Sequence, residues 1–374
     1  MKHVFRFFLF LGIPLVLGVG CSSSFEASPD GTYRVRIPVN DSKGQYHFQT
    51  VTLRSVTNIS SLAGSVLSIR INGKLVEEDK SDGTKQMWIS DFGTVPAAHF
   101  IKSGDVLIPA DYRTSVMATL VYQFENIKDF YDGYSANEGL LFPRTVLLDL
   151  SETGSLGNEA EYIGGLDMFV IQPYNQGLLP MSVNGGILAH EWWHSIFGVR
   201  QNESAKKIVR TEIKPDSKSL CANDLQYQGL NEGIADFFGY AYSHDPDYGS
   251  MSFKSTGKGE RDLKIPKALA YDDGNCQMDK GADSKVIIHN LGASVAHMLF
   301  VISEDWGIEE TSRAILNFTN FYMDLYTRDY DKSFIGFKKI LPFLFENHHP
   351  SEELCAKLKT IVTISDPFSG YCKL

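Results

Sequence analysis

His190-Glu191-Trp192-Trp193-His194 sits in a stretch, Gly186 to Phe197, with good helical character. Four residues span just over one turn of an α-helix, so both imidazoles leave on one face and can share a cation. Glu191 follows the first histidine, on the flank where a metal-bound water would lie. Neutral imidazole suits Zn²⁺, which as a Lewis acid lowers the pKa of its water to roughly 7. A neighbouring carboxylate can take the released proton. Five residues thus supply two ligands and a base, but chance also produces such strings, so a second element has to decide.

That element is Asn231-Glu232-Gly233-Ile234-Ala235-Asp236, running on through Phe237-Phe238-Gly239-Tyr240 as a helix. A catalytic zinc needs a third protein ligand and an open position, and Glu232 is a suitable oxygen donor. Asp236 falls one turn later on the same face, where it can accept the other N–H of a ligating histidine. Asn231 and Asp236 are read as the groups standing behind the ligands. Two carboxylates on the inner face of an apolar helix are costly to bury unless paired or metal-bound. The plainer alternative is an exposed acidic pair.

H-E-x-x-H followed by an E-x-x-x-D helix resembles the gluzincin peptidases, the thermolysin and fungalysin families. The likeness to fungalysins is closer from Cys221-Ala222-Asn223-Asp224-Leu225 through Gly229 to Asp236-Phe237. The resemblance implies zinc on His190, His194 and Glu232, Glu191 as the catalytic base, and Asp236 as a partner of the ligands. The interval from His194 to Glu232 is longer than in either family, which suggests an inserted loop over residues 201–219.

Further stretches carry the same resemblance. Ile288-His289-Asn290-Leu291-Gly292 looks like the fungalysin segment that bears a downstream histidine, although Ala293 stands where an acidic residue is usual. The resemblance makes His289 a catalytic residue that stabilises the oxyanion; the alternative is a structural hydrogen bond at a helix start. His297 is read as a packing residue. Gly157-Asn158-Glu159-Ala160-Glu161-Tyr162 resembles the edge strand along which substrate lies, with Asn158 and Ala160 as substrate-binding candidates and Glu159 interrupting the family's Asn-Ala pair. Tyr227 is a candidate second oxyanion donor. The likeness spans Ser115 to Ser303.

The remaining sequence frames the site. Lys2, His3 and Arg6 precede an apolar run from Phe7 to Val19, interrupted at Gly12 and Pro14, so residues 1–20 read as an export signal. Leu17-Gly18-Val19-Gly20-Cys21 resembles a bacterial lipoprotein box, implying lipidation of Cys21, with residues 21–32 as a tether; the alternative is an ordinary secretory signal. Setting Cys21 aside leaves Cys221, Cys276, Cys355 and Cys372. Three pairings are possible. Cys221–Cys276 with Cys355–Cys372 is preferred, because each closes a loop within one region. No C-x-x-C spacing points to a cysteine-ligated metal.

Residues 33–110 alternate in the manner of strands, and Asn72-Gly73 signals a hairpin between Ser68–Ile71 and Lys74–Val76. Residues 115–131 follow a helical period, strands return at 145–150, 161–163 and 167–172, and helices are expected at 186–198, 229–243, 287–303, 308–326, 332–347 and 351–361. The expected fold is α+β and two-lobed as in thermolysin: a β-rich amino-terminal lobe (33–185), a helical carboxy-terminal lobe (186–374), and the active-site helix between them.

The net charge of −10, without a long basic run, argues against nucleic acid as a partner. The expected partner is a peptide or protein substrate, the membrane is met only through the lipid, and the setting is the bacterial cell envelope. The leading reading is a zinc endopeptidase. Its rivals are a non-catalytic envelope lipoprotein on a peptidase fold and a zinc exopeptidase. Bound calcium is left open, without support from Asp245-Pro246-Asp247 and Asp272-Asp273, which lack the spacing of a recognised loop.

Overall fold

Alternation along Tyr33-Arg34-Val35-Arg36-Ile37 becomes a strand that buries Val35, Ile37 and Val39 and leaves Arg34 and Arg36 exposed. The structure is a computed structural model that describes residues 25, 27–28, 30–40, 46–79, 85–148, 160–172, 179–207, 217–253, 262–267, 284–328, 336–362 and 370–372. The export signal and Cys21, Asn158, Cys276 and the Asp272-Asp273 pair lie outside the described residues, as does the side chain of Cys221.

The strands are β1 (Tyr33–Asn40), β2 (Tyr46–Leu53), β3 (Val56–Asn58), β4 (Ala63–Gly64), β5 (Leu67–Ile71), β6 (Lys74–Asp79), β7 (Lys85–Asp91), β8 (Phe100–Ser103) and β9 (Val106–Pro109), then β10 (Arg144–Leu148), β11 (Ala160–Ile163) and β12 (Met168–Ile171). One four-stranded sheet runs β2-β1-β9-β8 and a second runs β11-β12-β10-β5. In the second sheet β10 is parallel to both β5 and β12, and β11 lies antiparallel to β12 at the edge.

The hairpin expected at Asn72-Gly73 does not form. Strand β5 pairs with β10 instead, while β6 pairs with β7. Leu67, Ile69 and Ile71 alternate into the core, and the β10 pairing covers them, so Asn72 (φ 56°) merely turns the chain out of that sheet.

Between the sheets runs α1 (Tyr112–Asp132), capped by Asp111, whose carboxylate accepts the Thr114 N–H at 2.7 Å. Its buried face includes Val116, Leu120, Phe124 and Ile127, four of the residues whose spacing predicts it. The later helices are α2 (Gly185–Lys207), α3 (Ser217–Ser243), a short α4 (Ser250–Phe253), α5 (Ser284–Trp306), α6 (Ile308–Arg328), α7 (Gly336–Asn347) and α8 (Glu352–Ile361). The chain is therefore a mixed α+β fold, with its strands before residue 172 and its long helices, α1 excepted, after residue 184. A continuous apolar core joins β1 and α1 to α2, α3, α5 and the Cys355 region.

Residues 201–207 and 217–219, expected in an inserted loop, are helical, as extensions of α2 and α3. Few residues there break a helix, so α2 runs on past its last strongly apolar turn, which is not itself a stop signal. Cys355 and Cys372 form the expected disulfide and tie α8 to the chain end.

Candidate metal centre

Helix α2 begins at a cap built by Asn184, whose Oδ1 accepts the N–H groups of Gly186 and Ile187 at 3.1 and 3.3 Å. From there the helix runs inside the protein. Trp192 and Trp193 are fully buried. The Trp192 indole N–H donates to Asn137 Oδ1 at 2.8 Å, and Trp193 stacks on Phe238 of α3, with ring centroids 4.7 Å apart. These two large anchors fix the rotation of α2 about its axis, and so fix where His190 and His194 point.

They point at α3. The Nε2 atoms of His190 and His194 are 3.0 Å apart. Glu232 Oε2 lies 3.6 Å from His190 Nε2, and Glu232 Oε1 lies 3.5 Å from His194 Nε2. Donors about 2.0–2.1 Å from a tetrahedral zinc stand roughly 3.3 Å from one another, so the spacing of the three groups fits such an ion. Two imidazoles and one carboxylate also form the donor set of a three-ligand zinc site with one position left open. His190, His194 and Glu232 are thus a group that could hold a metal ion.

Behind the trio, Asp236 Oδ1 lies 2.9 Å from His190 Nδ1, as the one-turn spacing predicts. Asn231 sits against His194, where its side chain favours the protonated imidazole. Glu191 is buried. Its Oε1 is 3.9 Å from His190 Nε2, and its Oε2 accepts the main-chain N–H of Tyr162 on β11 at 2.8 Å. His289 lies on α5, one turn inside the helix rather than at its start, with Nδ1 3.2 Å from Glu232 Oε2 and its side chain 44% exposed. His297 is buried and Nδ1 lies 2.6 Å from the Leu263 carbonyl, a packing role as expected.

The remaining candidates are placed less tightly. Ala160 opens β11 at the sheet edge. Tyr227 packs its ring against Phe197 and Tyr322, with centroids 5.1 and 6.2 Å apart. Asp245 Oδ1 accepts the Asp247 N–H at 3.0 Å, so this acidic pair builds a turn.

The three groups of the metal-free trio are shifted in different directions. Burial pushes the His194 imidazole down to about 4, with Glu232 opposing, so the ring is neutral near neutral pH. Burial acts to raise Glu232, yet the charges of His194 and His190 and the contact with His289 hold it well below the usual carboxylate range. Burial works to lower His190, but the Asp236 carboxylate outweighs it and moves the value up. Burial lifts Glu191 to about 8, with His190 and the Tyr162 N–H opposing and Glu232 reinforcing. Neutral His194 and ionised Glu232 are the forms that bind metal, whereas His190 gives up the proton on Nε2 as it binds.

Several residues of this neighbourhood were not singled out by sequence. Tyr248 donates its hydroxyl to Asp236 at 2.7 Å. Arg144, buried on β10, pairs with Asp167 at 2.6 Å, and the Tyr162 hydroxyl donates to that same Asp167 oxygen at 2.8 Å. Asn184 carried a readable signal, an Asn immediately before a helix; Tyr248 and Arg144 carried none. No family model matches the chain, and no curated protein matches it in sequence.

Proposed function

We propose that the protein is a zinc-dependent endopeptidase. The observation that carries this reading is Glu191: an acidic side chain beside the two-histidine, one-glutamate group, and at the same time hydrogen-bonded to the edge strand β11. A site that merely stored metal has no need of a buried carboxylate there.

His190, His194 and Glu232 would hold the ion, which when bound supplies a Lewis acid that polarises a substrate carbonyl and acidifies water. Glu191 takes the proton of the attacking water and delivers it to the leaving amine. The same residue serves as base and then acid. His289 donates to the oxygen that becomes negatively charged as the carbonyl is attacked.

Strand β11 aligns the peptide. The Tyr162 N–H is directed at Glu191, away from β12, and alternation along an antiparallel strand puts the Ala160 main chain on the same outward side. An extended peptide can add there as a further strand, which brings its carbonyl alongside Glu191. Asn158 belongs to the same reading, with Tyr227 as a second oxyanion donor.

The finer fold likeness, two lobes as in thermolysin, is part of this proposal, as are export and lipid anchoring at Cys21. No helix among the described residues is long and apolar enough to cross a membrane.

Glu191→Gln is the test. The amide keeps an acceptor for the Tyr162 N–H but cannot take a proton. Zinc content is expected to stay at one per chain while hydrolysis of an unfolded protein falls at least about a hundredfold. Cleavage by the variant at the wild-type rate would overturn the mechanism. Wild-type protein that binds zinc yet cleaves neither unfolded proteins nor short peptides would favour the non-catalytic rival.

A further inference from the structure

Tyr248 stands in the turn between α3 and α4, and its ring enters a slot between α2 and α3. A Cβ on Gly186 would lie 2.7 Å from ring atoms Cγ and Cδ2, and one on Gly239 would lie 2.7 Å from Cζ. Any side chain at either glycine would close the slot. The ring is held there with 4% of its surface exposed.

Its hydroxyl donates to Asp236 Oδ1 at 2.7 Å and lies 3.4 Å from His190 Nδ1. That carboxylate oxygen is the one 2.9 Å from His190 Nδ1. The main chain of Tyr248 is anchored as well: Asn184 Nδ2 donates to its carbonyl at 2.7 Å and to Ser252 Oγ at 3.0 Å. Asn184 is also the cap of α2. One residue therefore fixes both the start of the ligand-bearing helix and the backbone that carries Tyr248.

We propose that Tyr248 is a positioning residue of the metal centre: its hydroxyl fixes the Asp236 carboxylate, which orients the His190 imidazole for a cation. A carboxylate turns about its Cβ–Cγ bond unless donors hold its oxygens. The phenol, donating to the oxygen that faces His190 Nδ1, restrains that rotation and helps solvate a charge on a residue only 3% exposed. With Asp236 fixed, His190 keeps its proton on Nδ1 and offers Nε2 to the metal. The proposal rests on the reading of His190, His194 and Glu232 as ligands and is independent of the peptidase chemistry.

The experiment compares zinc affinity, by competition against a chromophoric chelator, for the wild type, Tyr248→Phe, Asp236→Asn and the double variant. Melting of each metal-free protein and cleavage of an unfolded protein are followed alongside. Phenylalanine still fills the glycine slot, so metal-free melting is expected to change little. Zinc affinity is expected to fall about tenfold or more in each single variant, in the range that loss of such partners produces. Because Tyr248 acts through Asp236, the double variant should bind little worse than Asp236→Asn alone. Unchanged affinity in Tyr248→Phe, or fully additive losses, would overturn the proposal.

Should Tyr248→Phe not fold, Gly186→Ala displaces the intact phenol from the slot, and the same loss of zinc affinity is expected; wild-type affinity in that variant counts against Tyr248. Zinc binding that weakens in Tyr248→Phe, in a wild-type background without cleavage, upholds the positioning role while removing the peptidase reading. A wild type that binds no zinc removes both.

Discussion

The Glu191 carboxylate reaches across from α2 to accept the main-chain N–H of Tyr162 on β11 at 2.8 Å. A buried side chain beside the two-histidine, one-glutamate group is thereby registered against the edge strand of the sheet. The bond also fixes the distance between the helical and sheet parts of the site, since it is made by backbone on one side and by a buried side chain on the other.

That burial has a pH signature in the metal-free protein. The Glu191 carboxyl, lifted to about 8, lies above its value in the unfolded chain, near ~4.3. Between those values the folded state holds a proton that the unfolded state has released. The associated stabilisation is present below about pH 4 and is lost as pH rises through about 8. Glu191→Gln stays neutral throughout. Its metal-free melting temperature is expected to gain on the wild type from pH 5 up to about pH 8 and to level off above it. His194, whose depressed value acts in the opposite sense below neutral pH, is present in both proteins and drops out of the difference. A melting difference that is flat across this range would show that Glu191 does not titrate there.

Metal should couple to stability through the trio. An ion that binds only the folded chain contributes about 2.7 kcal/mol when free metal is a hundredfold above its dissociation constant. Added zinc is expected to raise the wild-type melting temperature by several degrees, and a chelator to reverse it. Glu232→Ala removes one of three donors and should melt at the same temperature with and without zinc. An equal zinc response in that variant would exclude Glu232 as a ligand.

How much of this was legible depended on how far apart in the chain the cause lay. The H-E-x-x-H and E-x-x-x-D spacings are helical, so the local period alone placed His190 beside His194 and Asp236 one turn from Glu232. The meeting of α2 with α3 required tertiary packing, yet it could be anticipated because the donors are chemically incomplete without one another. Tyr248 was not legible: it lies beyond the end of α3, and nothing in its local pattern says that two glycines on different helices leave a slot for its ring. The missed pairing of β5 has the same origin. Asn72-Gly73 is a sound local turn signal, but the parallel partner of β5 lies more than seventy residues away at β10, where burial of Leu67, Ile69 and Ile71 decided the register.

Beneath β11, Arg144 is 1% exposed and its guanidinium is held by Asp167, with the Tyr162 and Phe169 rings 5.8 and 5.5 Å away. Removing Asp167 leaves a buried cation without its carboxylate and takes away the acceptor of the Tyr162 hydroxyl. Loss of one partner from a buried ion pair costs about 3–5 kcal/mol, and partial exposure of Asp167 reduces this, so a loss of about 2 kcal/mol is expected for Asp167→Ala. Since Tyr162 also supplies the N–H to Glu191, cleavage should fall beyond what the lost stability explains. Chemical denaturation paired with kcat/KM measurements would check this; a destabilised variant with full activity per folded molecule would separate the ion pair from the site.

Helices α3 and α5 approach so closely that their backbones nearly touch next to Glu232. A Cβ added to Gly233 would lie 2.5 Å from Val295 Cβ and 2.6 Å from the Gly292 carbonyl oxygen. Neither atom can yield by rotating a flexible side chain, so the helices themselves must separate. Overpacking of this kind costs roughly 1–3 kcal/mol, which exceeds the ~1 kcal/mol that alanine contributes over glycine in a helix. Gly233→Ala is therefore expected to lower stability, and because His289 rides on α5 only 3.2 Å from Glu232, separation should also weaken zinc binding. Gly198→Ala is the contrast: within α2 its Cβ meets only the Tyr162 ring, at 3.4 Å, so stability should hold or rise. Melting and zinc competition on the two variants would check the pair. Equal behaviour would show that the crossing of α3 and α5 is looser than the contacts at Gly233 require.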